Sequence, residues 1–377
     1  MEARFELNRE RLLKTFFELV TIDSESGSEG GVTEYLQKWF TDHGYQTVRD
    51  EAGKTCGSTG DNLLVHIAGT MPGEAICFNA HQDTVKPGRG IRPRLEGDCV
   101  VSGGDTILAS DDKAGIAMLL ELLERLRELQ IPHRELYYLF TIGEEVGMLG
   151  AKAFDPALMP CKSFFAIDGT GRPGGICVSG PAAVAMRADF HGRPAHAGIE
   201  PEKGASAILM LAEALRNAPF GRIDEETTSN VGLIGGGAAN NIVAESAWFT
   251  AEARSRNEEK LQKQVDAVRA ACQQAAEKLG GTVDFQVDHT YPAYYQKEDW
   301  FIFRCCEQAY HKEGITPRLV KAGGGGDANV LTSKGYQCGG ISAGIYNCHS
   351  CDEYLDLNDF EQAYRVVMRM MTDPMED

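Results

Sequence analysis

The chain has 377 residues, 43% apolar and 24% charged, with a formal net charge of −18. That length exceeds one comfortable core and points to two domains. The acidic balance excludes nucleic acid or an anionic membrane as a general partner, and no apolar stretch reaches the ~20 residues of a membrane span.

The N-terminal stretch MEARFELNRERLLKTFFELV is charged and reads as an amphipathic helix rather than a signal peptide. Eleven cysteines lie scattered without a spaced framework, which fits reduced thiols and a cytoplasmic location. Cys348 and Cys351 have CxxC spacing, but no second pair accompanies them as a zinc knuckle requires, so they read as plain thiols.

Further along, NLLVHIA and EAICFNA read as strands, DDKAGIAMLLELLERLREL as a strongly periodic helix, and ELYYLFTI and SFFAID as strands again. Strands alternating with helices predict an α/β layer architecture with a largely parallel sheet. The style changes near Gly180. AAVAMRADFHG, the helix KGASAILMLAEALRNA, SNVGLIGGG, SAWFTAEARS, the helix NEEKLQKQVDAVRAACQQAAEKL and TVDFQV follow in β-α-β-β-α-β order, a ferredoxin-like unit. From about Trp300 the α/β style returns, with a helix, the strand PRLVKA, the loop GGGGDAN, the strand CGGISAG and a last helix from about Asn358. The expected organisation is a discontinuous α/β domain, 1–179 with 293–377, interrupted by an inserted domain, 180–292.

In parallel sheets ligands gather beyond the carboxyl ends of the strands. The residues expected there are His81, Asp83, Asp111, Asp112, Glu144, Glu145 and Asp168, joined by His349 and Glu353 near the C-terminus. Taken singly, a strand-end aspartate is a turn residue or a helix cap. Gathered at one edge, so many carboxylates repel one another, and a cation resolves that cost. Imidazole with carboxylate suits zinc, and also cobalt or manganese. His81 and Asp83 are two apart and face one side of an extended segment, so the carboxylate can orient the imidazole. No GxGxxG before a cofactor helix, no GxxxxGK[ST] and no GxSxG elbow is present.

The segments FNAHQDTV, ILASDDKAGIA, FTIGEEVGMLGA, AIDG, GRPAHAG and NCHSCDEYL resemble, in order and over nearly the whole chain, the motifs of the M20 family of dinuclear zinc peptidases, with the peptidase T-like tripeptidase branch the nearest. The resemblance implies a zinc-exopeptidase-like catalytic domain carrying a lid and dimerisation domain. It implies two zinc ions per subunit, with cobalt or manganese as alternatives. His81 and Asp168 would hold one, Glu145 and His349 the other, and Asp111 would bridge them. Asp83 would back His81, and Glu144 would be the general base acting on a water that bridges the metals. A cis peptide is implied at Asp111–Asp112. In the lid, His196 would assist at the reacting carbonyl, often from the partner subunit of a homodimer. Asn241, with Asn240 as the alternative, and Arg254 would meet substrate. The implied activity is aminopeptidase cleavage of short peptides, tripeptides foremost. The alternatives are an N-acyl-amino-acid amidohydrolase or carboxypeptidase on the same scaffold, and a binding protein without activity. The adjacent Glu144 and Glu145 then have different partners, one the substrate and one a metal.

Overall fold

The computed structural model describes residues 3–376. They form two compact units. One holds the described residues before Ser179, together with Tyr295–Lys321 and the segment from Gly326 onward; the other holds Ser179–Tyr294 and Ala322–Gly325.

The first unit is built on a nine-stranded sheet. Its order is Thr47–Arg49, Leu63–Ile67, Leu136–Thr141, Ile76–His81, Ser163–Thr170, Gln337–Tyr346, Tyr354–Asp356, Cys99–Val101 and Arg94–Glu96. The four strands from Leu136–Thr141 to Gln337–Tyr346 are parallel, and the flanking pairs are antiparallel. The expected α/β architecture is thus present, and its parallel part is the centre. The strands Ile76–His81 and Leu136–Thr141 are buried at every position. Both faces of a parallel sheet are covered, so such strands carry continuous rather than alternating apolar runs.

The helix Ser110–Glu128 packs on the strand Ile76–His81, and all of its residues from Ala114 to Leu123 are buried. Its opening is irregular: Asp111 and Asp112 have non-helical backbone, and the peptide between them is cis. Asp112 is fully buried, and one of its carboxylate oxygens lies 2.3 Å from where a Cβ would stand on Gly115. That position therefore has no room for a side chain.

The N-terminal helical reading holds for Arg9–Val20. The segment GGGGDAN is less of a loop than expected, because a seven-residue helix, Asp327–Ser333, begins within it. Asn329 caps it by accepting from the Gly326 N–H at 3.0 Å. Among the described residues no helix is long and apolar enough to cross a membrane.

The second unit is a five-stranded antiparallel sheet in the order Gly221–Arg222, Thr227–Gly236, Ser246–Ser255, Ala182–His191 and Thr282–Tyr291. The helices Ala207–Asn217 and Glu258–Lys278 pack on each other and on the sheet. Alternate residues of the strands, among them Val184, Met186, Ala188, Phe190, Phe249 and Ala251, make a core with Met210, Val265 and Val268 of the helices. Only a two-residue strand covers one edge of Thr227–Gly236, and it pairs at Thr228 and Ser229.

Candidate active site

His81 ends the central strand Ile76–His81 and is almost wholly buried. Its Nδ1 lies 3.1 Å from the Asp83 carbonyl and 3.4 Å from Asp83 Oδ1, so the Nδ1–H donates there. Nε2 is thereby aimed the other way, at Asp111 Oδ1, 3.0 Å off, and at Asp168 Oδ1, 3.9 Å off. Asp168 comes from the neighbouring parallel strand Ser163–Thr170.

His349 lies at φ +63° in a turn that Asn347 closes by donating from Nδ2 to the Asp352 carbonyl at 3.2 Å. Its Nε2 is 3.0 Å from Glu145 Oε2 and 3.5 Å from Asp111 Oδ2. Asp111 thus has one oxygen toward each imidazole. The donors fall into two sets that share it: His81 with Asp168, and His349 with Glu145.

Two other carboxylates hold this arrangement from behind. Asp83, fully buried, accepts from the backbone N–H of Glu144 at 3.0 Å and of Glu145 at 3.2 Å, and from Ser26 Oγ at 2.7 Å. Glu353 accepts from Leu108 N at 2.8 Å, Ala109 N at 2.9 Å, Ser110 Oγ at 2.5 Å and Asp111 N at 3.1 Å. The two glutamates do not cap the short helix Leu149–Ala153 with their side chains; only the Glu144 carbonyl takes part, accepting from Gly147 and Met148.

The charges are strongly coupled. Burial pushes the carboxyls of Asp112, Glu144 and Asp168 well above the usual range, and neighbouring acids, Asp111 beside Asp168 and Asp327 beside Glu144, add to it. Burial also pulls Lys113 down to about 8. Asp111 is held low in spite of its burial, because His349 and His81 donate to it. In return Asp111 and Glu145 raise His349 to about 10; His81 is raised in spite of burial by Asp111 and Asp83. An acidic cluster that stays together only through protonated imidazoles and neutral acids has the donor set of a divalent-cation site. Two imidazoles and three carboxylates, grouped around one shared aspartate, fit two cations.

The remaining sequence candidates belong to the second unit. His196 is exposed, and its Nδ1 accepts from the Gly198 N–H at 3.2 Å. An antiparallel bridge joins His196 to Ile242, and the Asn241 carbonyl accepts from Ala197 at 3.0 Å, so His196 and Asn241 lie on paired segments. Asn240 and Asn241 are both exposed. Arg254 pairs with Glu252 at 3.0 Å, while its Nε is buried without a hydrogen-bond partner.

Several supporting residues carry no motif. Ser26 and Glu29 sit in the N-terminal loop SESGSEGG. Asp327 is buried, accepts from Thr141 Oγ1 at 2.5 Å, and burial raises it to about 6. A Cβ built on the adjacent Gly326 would lie 3.5 Å from Glu144 Oε1, so this backbone borders the site. The only signal in the sequence was a polar residue beside a glycine run.

The model of peptidase family M20/M25/M40 matches residues 77–373. The uncharacterized protein YqjE of Bacillus subtilis is 36% identical over 97% of this chain and 98% of its own. The aminopeptidase PepT of Bacillus cereus superposes with a TM-score of 0.89 at 37% identity, over 97% of this chain and 98% of that one. A tripeptidase from Staphylococcus aureus superposes with a TM-score of 0.93 at 32% identity, over the same shares. The chain belongs to peptidase family M20/M25/M40, in its peptidase T-like branch, and is a metal-dependent peptidase.

Proposed function

We propose that the chain is a cytoplasmic dinuclear zinc aminopeptidase that releases N-terminal residues from short peptides, tripeptides foremost. The observation that carries this is Asp111, whose two oxygens face two imidazoles, 3.0 Å from His81 and 3.5 Å from His349. In this reading His81, Asp168 and Asp111 hold one cation, and Glu145, His349 and Asp111 the other. Bound there, the cations polarise the scissile carbonyl and make water a nucleophile near neutral pH.

The chain's own groups do the rest. Asp83 keeps His81 oriented with Nε2 toward the site. Glu144, whose carboxyl is raised by burial, takes the proton from the attacking water and returns it to the leaving amine. His196 and Asn241 donate to the developing oxyanion, and Arg254 exchanges Glu252 for the substrate carboxylate. The aminopeptidase reading is supported by the likeness to the Bacillus cereus aminopeptidase, and the tripeptide preference by the likeness to the Staphylococcus aureus tripeptidase. Eleven cysteines without a spaced framework, read as reduced thiols, support the cytoplasmic location.

A homodimer through the second unit belongs to the same proposal. Leu233 and Ile234, each 62% exposed, stand on a strand edge that is open there. Ile208, Leu209 and Ile242, also exposed, line one groove with Gly236 and Gly237. Open strand edges and contiguous apolar surface are what isologous dimers cover.

Glu144→Gln and Glu145→Gln, measured side by side, test the mechanism. Glu144→Gln retains metal and loses on the order of 10²–10⁴-fold in kcat, the usual worth of a general base. Glu145→Gln loses metal and is partly restored by excess zinc. The opposite pattern exchanges the two roles. Rapid cleavage of N-acetylated amino acids, with tripeptides untouched, overturns the substrate assignment.

A further inference from the structure

The segment Ile142–Glu145 carries both glutamates, yet its N–H groups find no partner in a helix or a sheet. Each donates to a side chain instead. Ile142 N donates to Asn62 Oδ1 at 3.1 Å, Gly143 N to Glu29 Oε1 at 3.1 Å, and Glu144 N and Glu145 N to the two oxygens of Asp83. Gly143 lies at φ +60°, in the left-handed region, so the chain turns there and its amide points away from the sheet.

Of these holders, Glu29 has the least structural excuse. Its side chain is wholly buried, and it makes no capping bond to the helix Gly30–Asp42 that it precedes. Among the described residues no cation pairs with it. Its donors are Gly27 N at 3.0 Å, Gly143 N at 3.1 Å and Ser58 Oγ. A buried carboxylate without a counter-ion is costly to keep. Its return is an acceptor for the Gly143 N–H, which would otherwise lack one, at one point of the glutamate-bearing turn.

We propose that Glu29 is a positioning residue: by accepting from Gly143 it fixes the turn that aims Glu144 at the substrate and Glu145 at the metal. Glu29 touches neither substrate nor metal in this assignment and acts only through the backbone of Gly143. The proposal rests on the roles given above to Glu144 and Glu145. What the contact requires is an acceptor at the Oε1 position. Glutamine can supply it, because its carbonyl replaces Oε1 while its amide donates to Ser58 Oγ, whose hydroxyl turns to accept. Alanine supplies nothing there.

The test compares Glu29→Ala, Glu29→Gln and Ser58→Ala in the metal-loaded protein, with kcat, KM, metal content and thermal midpoint for each. A displacement of about 1 Å at a catalytic group costs up to ~10²-fold, so Glu29→Ala is expected to lose roughly 10–100-fold in kcat with KM within about 3-fold. Glu29→Gln and Ser58→Ala are expected within about 5-fold of the parent kcat. Ser58→Ala removes another donor to the same carboxylate and so reports the cost of disturbing it without releasing Gly143. Unchanged kcat in Glu29→Ala, whatever its thermal midpoint, overturns the proposal. If that variant does not fold, Glu29→Asp replaces it: the charge stays but the side chain is one methylene too short for Gly143. Full kcat in Glu29→Asp then overturns the proposal equally. Glu144→Gln serves as the reference. A loss there with none in Glu29→Ala removes only the anchoring role, whereas full turnover in both removes the assignment of the base as well.

Discussion

Replacing Glu353 by glutamine keeps the volume and most of the shape but breaks the symmetry of the clamp behind Asp111. Oε2 accepts from Leu108 N and Ala109 N, and Oε1 from Ser110 Oγ and Asp111 N. An amide has one oxygen. Its least damaging placement keeps the oxygen on the Leu108–Ala109 pair and turns the NH2 toward Ser110, whose hydroxyl can accept. Asp111 N then faces a donor. A buried N–H left without an acceptor costs ~1–3 kcal/mol, and the surviving bonds lose their charge assistance. Against that, burial already raises the Glu353 carboxyl, so removing its charge returns part of the loss. The net expectation is ~1–3 kcal/mol of stability, and 10–100-fold in metal affinity, the usual cost of losing an outer partner of a ligand. Urea unfolding of the metal-free protein gives the first number, and calorimetric titration with zinc gives the second. If Glu353→Gln takes up metal as tightly as the parent, the clamp does not act on Asp111 and the reasoning fails, even if stability falls.

Removal of metal by a chelator abolishes peptide hydrolysis, and zinc or cobalt restores it; full activity in metal-free protein refutes the mechanism. Since His349 is raised to about 10 and His81 is raised too, cations displace protons on binding. Uptake therefore acidifies an unbuffered solution, and affinity falls as pH is lowered. Arg254→Ala raises KM more than it lowers kcat if the guanidinium only binds substrate, whereas equal losses in kcat and kcat/KM with KM unchanged assign it to the transition state. Mixing inactive His196→Ala and Glu144→Ala chains restores activity if His196 acts across a dimer. Exchange of subunits without recovered activity places it in its own chain's site.

The central sheet was legible because long apolar runs alternate with one strongly periodic helix, and because strand-end polar residues must share an edge. That logic gathered His81, Asp83, Asp111, Asp112, Glu144, Glu145, Asp168, His349 and Glu353, and the resemblance singled out five ligands among them; in the structure His81 and His349 both approach Asp111, with Asp168 beside His81 and Glu145 beside His349. It also reached Asp83 and Glu353 behind them, but not the supports from the N-terminal loop and the glycine run. Glu29 and Ser26 look like ordinary turn residues in SESGSEGG, and their contacts, to Gly143 and Asp83, are with segments far along the chain. Asp327 was hidden by the glycines before it, which read as a loop although a helix starts there. The hairpin Arg94–Glu96 with Cys99–Val101 went unread because three-residue strands carry too little periodicity.

The interrupted first unit also sets an order of events for a ribosome delivering the chain from its N-terminus. Ser163–Thr170 pairs on one side with Ile76–His81 but gains its second parallel neighbour only from Gln337–Tyr346, whereas the residues of the second unit's main segment, Ser179–Tyr294, emerge together. That segment can fold while the first unit still waits for its last strands. His349 and the Glu353 clamp arrive last of all. A nascent chain therefore carries His81, Asp111 and Glu145 for about two hundred residues of translation without the group that finishes the site, and competence to cut peptides waits for His349 and Glu353.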